Sequence, residues 1–153
     1  MQSLFIKNKV LKSADACAYL DVQLPKRATS GSAGYDFFAP QEFSLAPNQT
    51  AKIATGIRVK IEEGWVLKIY PRSRLGFKYR LTLDNTVGII DSDYYFADNE
   101  GHIFIKMTNL GDKPLTVEKC KAFAQGIFVE YGITVDDDCT CLRTGGIGST
   151  DKK

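Results

Sequence analysis

Apolar residues recur at every second position in several short stretches of this chain, and no long stretch keeps a helical period. In GIRVKIEEGWVLKIYPRS, Ile57, Val59 and Ile61 alternate with Arg58 and Lys60, which puts the apolar groups on one face of an extended strand. Glu62-Glu63-Gly64 then punctuates, and Trp65 to Tyr70 resumes with β-branched and aromatic residues. His102 to Thr108 alternates again, and Ala124 to Tyr131 is a further strand candidate. Turn signals separate these runs: Ser30-Gly31-Ser32, Ala46-Pro47-Asn48, Asp98-Asn99-Glu100-Gly101 and Gly111-Asp112-Lys113-Pro114. Helical character is confined to short stretches around Leu75–Arg80 and near Ala14–Leu20, neither with a convincing cap and apolar stripe. Many short, closely spaced strands imply an all-β fold, a sandwich or a barrel.

With 153 residues, the chain is most economically one domain with a real core. A net charge of +2 gives no reason to expect wholesale nucleic-acid or membrane binding. No apolar run approaches the roughly 18 residues that span a bilayer. The start, MQSLFIKNKV, lacks the apolar core of a secretory signal, so a cytoplasmic location is expected. Cys17, Cys120, Cys139 and Cys141 form no C-x-x-C pair, and the lone His102 completes no familiar zinc pattern; reduced thiols are expected. Residues 1–135 read as the β domain. From Asp136 three aspartates and then polar residues follow, so residues 136–153 read as an arm leaving the core.

That arm ends RTGGIGSTDKK. Glycines let backbone N–H groups approach an anion, and the Arg143 guanidinium can bind one bidentately. It is not a P-loop, because no GK[ST] follows and no helix stands behind it. A disordered polar tail would be the favoured reading if the arm stood alone.

Four other stretches carry chemistry. SAGYDFFAP holds Asp36 between aromatics. PRSRLGFKY follows a strand directly and offers Arg72 and Ser73 for phosphate oxygens. NTVGIIDSDYYF delivers Asp91 and Asp93 after an apolar run, with Tyr94 and Tyr95 beyond. A strand ending D-S-D-Y can turn back as a hairpin, with HIFIKM as the returning strand; simple alternation would put Asp91 and Asp93 on one side. EKCKAFAQGIF embeds Gln125 in an otherwise apolar strand, where a buried amide must find partners.

Singly these are weak. In order, AGYD, PRS, N-x-V-G-I-I-D-S-D-Y, A-Q-G and R-x-G-G-x-G-S-T resemble the five motifs of the trimeric deoxyuridine triphosphatase (dUTPase) family, over about Leu24 to Thr150. The resemblance implies a jelly-roll-like β-barrel, a homotrimer whose three active sites combine motifs of different subunits, and an arm that closes over a site formed by the other two chains. It implies hydrolysis of dUTP to dUMP and pyrophosphate, which limits uracil incorporation into DNA and supplies dUMP for thymidylate synthesis. Asp91 would be the general base, positioning a water for attack on the α-phosphorus. Mg²⁺ would be chelated mainly by the three phosphates, with Asp36 orienting its waters. Arg72, Ser73 and the backbone N–H of Arg74 would hold α- and β-phosphates, with Gln125 near the tail. Backbone groups near Gly88, Ile89 and Ile90, with the Asn85 side chain, would face uracil, and the Tyr94 ring would exclude a 2′-hydroxyl. Fixed donors and acceptors of this kind reject a mismatched base by roughly 10⁴-fold or more. Arg143, Gly146, Gly148 and Ser149 would close over the outer phosphates.

Three departures from the family pattern stand out. Ile147 occupies the place where the arm usually carries an aromatic, so Phe96 or Tyr95 is the candidate lid. Ala122 replaces an arginine of the fourth motif, with Lys119 or Lys121 as candidate substitutes. YYFADNEG inserts several residues before Gly101 and lengthens the hairpin tip. Two other functions compete: a dCTP deaminase of the same fold, and a nucleotide-gated module acting on a regulatory protein partner.

Overall fold

The computed structural model describes the backbone of residues 4–7, then residues 22–143 and 145–146. Helical character near Ala14–Leu20 lies outside the described residues, as do Cys17, Ile147, Gly148 and Ser149. Twelve strands occur in the described residues: β1 (Leu4–Lys7), β2 (Lys26–Arg27), β3 (Tyr35–Phe38), β4 (Phe43–Leu45), β5 (Thr50–Ala54), β6 (Ile57–Lys60), β7 (Trp65–Pro71), β8 (Leu81–Leu83), β9 (Gly88–Ile90), β10 (Phe104–Asn109), β11 (Leu115–Val117) and β12 (Ala122–Glu130). One short helix, α1 (Ser73–Tyr79), follows β7, and a 3-10 helix spans Ser92–Phe96. The fold is all-β and jelly-roll-like.

Period-two alternation becomes the core directly. Ile57 and Val59 of β6 are buried and Lys60 is exposed; Ile105 and Met107 of β10 are buried and Lys106 is exposed. They join Phe37, Leu67, Ile69, Leu81, Ile103, Leu115 and Phe123 in one apolar interior. Helix α1 buries no residue and has no side-chain cap bond, in keeping with its missing apolar stripe; it ends on Arg80 in the left-handed region.

Two sheets set up the site. The larger runs β2-β3-β12-β7-β9, all antiparallel, with β9 at its edge. The other runs β5-β10-β8. One expectation is corrected here. β10 does not return against β9 as the second arm of a hairpin: β9 pairs with β7 (Ile69↔Gly88, Leu67↔Ile90), whereas β10 pairs with β5 and β8. The physical cause is local. The strand stops at Ile90, Asp91 stays extended, and the chain coils into the 3-10 helix. Alternation therefore does not continue through Asp91 to Tyr94.

β12 ends at Glu130, and residues 131–142 are exposed and run without strand pairing. Among the described residues no helix is long and apolar enough to cross a membrane.

Candidate active site

The structure gathers the candidate residues into two clusters. The first sits on three hydrogen-bonded strands. Asp36 of β3 lies opposite Gln125 of β12, and Gln125 lies opposite Tyr70 of β7, one residue before Pro71. Arg72 follows, and its Nη1 donates to Asp36 Oδ2 at 3.1 Å. The Asp36 side chain is only 14% exposed while that of Arg72 is 39% exposed, so the pair is sheltered on its carboxylate side and open to water on its guanidinium side. Gln125 Nε2 donates to the Pro71 carbonyl at 3.1 Å, the partner that an amide embedded in a strand requires. Its Oε1 fills the space where a side chain at Gly34 would begin, 2.7 Å from an ideal Cβ. Ser73 and Arg74 are exposed on the first turn of α1, whose first internal bonds come from the N–H groups of Leu75 and Gly76; their own N–H groups remain open. Pro71, Arg72, Ser73, Gly76 and Phe77 line a shallow depression here.

The second cluster surrounds a cavity of about 440 Å³ between the facing edges of β9 and β10. Asn85, Gly88, Ile89, Ile90, Tyr94, Arg143 and Gly146 all line it, with Lys52, Asp84, Phe104 and Lys106. β9 is an edge strand, and β8 pairs with β10 only from Met107 to Asn109. β9 pairs only with β7, so its outer main-chain groups are open to a planar ligand, which is how a strand edge recognises a partner, whereas on the β10 side the Lys106 carbonyl is already taken by the Asp84 N–H. The turn before β9 is braced: Asp84 N–H donates to Lys106 O at 3.1 Å, Thr108 Oγ1 donates to Asp84 Oδ1 at 2.5 Å, and Lys106 Nζ lies 2.9 Å from Asp84 Oδ2. Those contacts, the Thr108 bond first and Lys106 second, hold the Asp84 carboxyl below the usual carboxylate range. Asn85, next in sequence, is exposed and carries its amide at the cavity wall.

Tyr94 is buried at 6% exposure. Its hydroxyl donates to the His102 carbonyl at 2.8 Å and accepts from Asn99 Nδ2 at 2.7 Å. Burial pushes the phenol up from its ordinary value, against the smaller effect of the Asn99 bond, so the hydroxyl stays protonated. Burial likewise pushes His102 down, with Lys52 adding repulsion; the neutral ring accepts the Gly56 N–H at Nε2, 3.0 Å away.

Arg143 joins the arm to this cluster. Its Nη2 donates to Asp91 Oδ2 at 2.6 Å and its Nε to Asp93 Oδ1 at 2.8 Å. Both carboxylates converge on one guanidinium although the strand has ended before them. The resemblance implied an arm that reaches over other chains; in the single chain, Arg143 returns to its own Asp91 and Asp93. The two candidate lids lie elsewhere. Tyr95 is stacked under the Arg58 guanidinium at 3.7 Å, Phe96 is 74% exposed, and neither lines the cavity. Lys52, Phe104 and Lys106 were not foreseen. Phe104 and Lys106 belong to a strand expected from alternation and Lys52 to β5, which was not expected; alternation in any case says nothing about which strand edge stays unpaired.

Among the described residues no group of three or more His, Cys, Asp or Glu is placed to hold a metal unaided. Cys120, Cys139 and Cys141 are free and exposed.

Comparison with known proteins agrees with the motif order. The dUTPase family profile matches residues 21–150. The deoxyuridine 5'-triphosphate nucleotidohydrolase of Lactococcus lactis subsp. lactis (strain IL1403) is 42% identical over 132 residues, 84% of this chain and 88% of the relative. The crystal structure of dUTPase from Streptococcus mutans superposes with a TM-score of 0.66 at 36% identity, covering 72% of this chain and 88% of that one. A mutant dUTPase from phage phi11 of S. aureus, solved for the coordination of a structural Mg(II) ion, shares the fold at 19% identity, with a TM-score of 0.69 over 92% of this chain and 97% of its own. Five motifs in order, a profile spanning most of the sequence and close relatives of nearly equal length leave one conclusion: this chain belongs to the dUTPase family.

Proposed function

We propose that the protein is a dUTP diphosphatase that hydrolyses dUTP to dUMP and pyrophosphate in the cytoplasm, as a homotrimer with shared active sites. The observation that carries this reading is the separation of the two clusters. Asp36, Arg72 and Gln125 have the chemistry of a phosphate grip, and none of them lines the cavity that Asn85, Gly88 and Tyr94 enclose. A nucleotide long enough to need both is served if the phosphate grip of one copy faces the base cavity of another. Residues 136–153 then act as an arm that closes over the pair.

In this arrangement the open edge of β9 offers its N–H and C=O groups to the uracil edge, and the Asn85 amide adds a bond. A base with the wrong donor pattern leaves those groups unpaired. The buried Tyr94 ring packs against the deoxyribose. Arg72, Ser73 and the Arg74 N–H take α- and β-phosphate oxygens, with Gln125 alongside, while Arg143, Gly146, Gly148 and Ser149 take the outer phosphates.

Arg143 gives the site its order of events. Free of nucleotide, it occupies Asp91 Oδ2. A triphosphate offers the same guanidinium a larger negative charge, so Arg143 changes partners and the carboxylate is released. Asp91 then accepts a proton from a water as that water's oxygen bonds to the α-phosphorus, the α–β bridging P–O bond breaks, and pyrophosphate departs with the bridging oxygen. Ordering the arm costs about 1–2 kcal/mol per residue, which ties closure to bound ligand.

The residues present fit Mg²⁺ as a partner of the triphosphate rather than of a protein cage. The ion prefers phosphate oxygens and water, and Asp36, with Oδ2 committed to Arg72, keeps Oδ1 for a coordinated water. When bound, Mg²⁺ would offset charge on the leaving pyrophosphate.

The test is pyrophosphate release from dUTP, dTTP, dCTP and UTP, with and without Mg²⁺, for wild type and Asp91→Asn. Selective dUTP turnover lost in the variant is the expected outcome; ammonia release from dCTP would instead identify a deaminase.

A further inference from the structure

The segment between Tyr94 and His102, the lengthened tip of the third motif, folds back onto Tyr94. Asn99 sits at its centre. Its Nδ2 donates to the Tyr94 hydroxyl at 2.7 Å and, at 3.3 Å, to the His102 carbonyl, the group to which that hydroxyl itself donates. Its Oδ1 accepts the Gly101 N–H at 3.1 Å, and its carbonyl accepts the His102 N–H at 3.2 Å. Glu100 and Gly101 both take positive φ, 57° and 68°, to let the loop close this tightly. A Cβ at Gly101 would lie 2.8 Å from the Tyr95 Cα and 2.9 Å from the Tyr94 carbonyl, both of them backbone, so the turn cannot be rebuilt around a larger residue.

The neighbouring residue is held from the other side. Arg58 of β6 donates from Nη2 to the Tyr95 carbonyl at 2.7 Å and stacks over the Tyr95 ring. Backbone on one side and hydroxyl on the other are thus both fixed, and the Tyr94 ring is anchored at both ends of its long axis. Asn99 does not line the cavity that Tyr94 faces. The arm meets the same amide: a Cβ at Gly146 would come within 3.3 Å of Asn99 Nδ2.

We propose that Asn99 is a specificity-determining positioning residue, which sets the depth and tilt of the long axis of the Tyr94 ring and so governs rejection of the ribonucleotide UTP without touching the nucleotide. The proposal deepens the assignment of Tyr94 to the sugar and rests on it. Tyr94 excludes a 2′-hydroxyl by contact, and a contact filter is only as sharp as the position of its wall. A ring freed to tilt admits one extra oxygen more readily than it loses the smaller deoxyribose.

The experiment compares kcat/KM for dUTP and for UTP in wild type, Asn99→Asp, Asn99→Ala, Tyr94→Phe, Tyr94→Ala and the Tyr94→Phe/Asn99→Ala pair, with melting temperatures alongside. Asn99→Asp keeps the oxygen that accepts the Gly101 N–H and removes the amide donor, which separates the Tyr94 bond from closure of the loop. Asn99→Asp and Asn99→Ala are expected to lower the dUTP:UTP ratio by roughly fivefold, the worth of one buried hydrogen bond. Asn99→Asp should melt below wild type, because a carboxylate oxygen then faces the His102 carbonyl, so the dUTP:UTP ratio rather than the melting temperature reads the Tyr94 bond. Tyr94→Phe should give a similar loss, and the pair should add nothing to it, because both changes remove one interaction. If Tyr94→Ala leaves the ratio unaltered, the assignment of Tyr94 to the sugar is wrong. If Tyr94→Ala collapses the ratio while both Asn99 variants keep it, or slow both nucleotides equally, the role given to Asn99 is overturned and that of Tyr94 stands.

Discussion

Asp36, Arg72 and Gln125 sit on or just beyond three strands that hydrogen-bond to one another, whereas Asn85, Asp91 and Tyr94 stand on turns around an edge strand. The first group inherits its geometry from a ladder: register alone puts Asp36 opposite Gln125. The second depends on individual side-chain bonds, Thr108 and Lys106 to Asp84, Asn99 to Tyr94, and Arg143 to two carboxylates. A ladder distributes strain over many bonds, and a turn concentrates it in a few. A grip on phosphates, which every nucleotide shares, can be general. Discrimination between bases and sugars needs single atoms in set places, and turns can supply those.

This contrast can be broken by substitution. The largest effect is expected from Asp91→Asn, which removes the proposed proton acceptor and should lower kcat for pyrophosphate release by about 10²–10⁴-fold, with dUTP binding retained in calorimetry. Next comes Gly126→Ala, on the ladder side. A Cβ there would meet the Leu67 Cδ1 at 2.8 Å and the Phe37 ring at 3.0 Å, so overpacking should cost about 1–3 kcal/mol in urea unfolding. The dUTP:UTP ratio should nevertheless hold; a changed ratio would mean that the sheet sets selectivity as well.

Smaller still is the acid sensitivity of His102. Its folded-state pKa lies below the unfolded value of about 6.5. Above that pH both states are neutral and the histidine contributes no slope. As pH falls below about 6.5 the unfolded chain takes up a proton that the folded chain resists, so stability drops until the folded-state value is passed. Melting temperatures from pH 7.5 to 5 should fall with this slope in wild type and more gently in His102→Gln. The smallest effect belongs to Thr108→Val, which removes the hydroxyl's exposed bonds to Asp84 and to Thr50 Oγ1 and should cost about 0.5–1.5 kcal/mol in all while raising KM for dUTP through a looser Asn85.

The strands of this fold were legible where apolar residues alternate: β6, β7, β10 and β12 lie within or next to the runs that predicted them. Gln125 was legible as a residue needing partners, because a lone amide in an apolar strand has few ways to be satisfied. What alternation cannot encode is which strand lies beside which. The sequence runs from β9 to β10 through D-S-D-Y as a hairpin would, yet β9 prefers β7, Asp91 stands just before a 3-10 helix and Asp93 lies on it. Arg58 and Asn99 were invisible for a related reason. One is an ordinary polar residue of a half-exposed strand and the other a polar residue in a turn, and their value appears only when Tyr94 and Tyr95 come to rest against them. Arg143 stood out in the sequence as a candidate for binding an anion; that it would pair with two acids of its own chain depended on where the arm lies.

The unpaired margin of β9 carries one more implication. Naked strand margins are where polypeptides recruit one another into insoluble sheets, and proteins usually hide or charge them. Here a crevice flanked by Lys52 and Lys106 shelters it, while the nucleotide would complete the missing bonds itself. Substrate should therefore double as protection against heat-induced clumping, and starvation for nucleotide should leave the enzyme most prone to it.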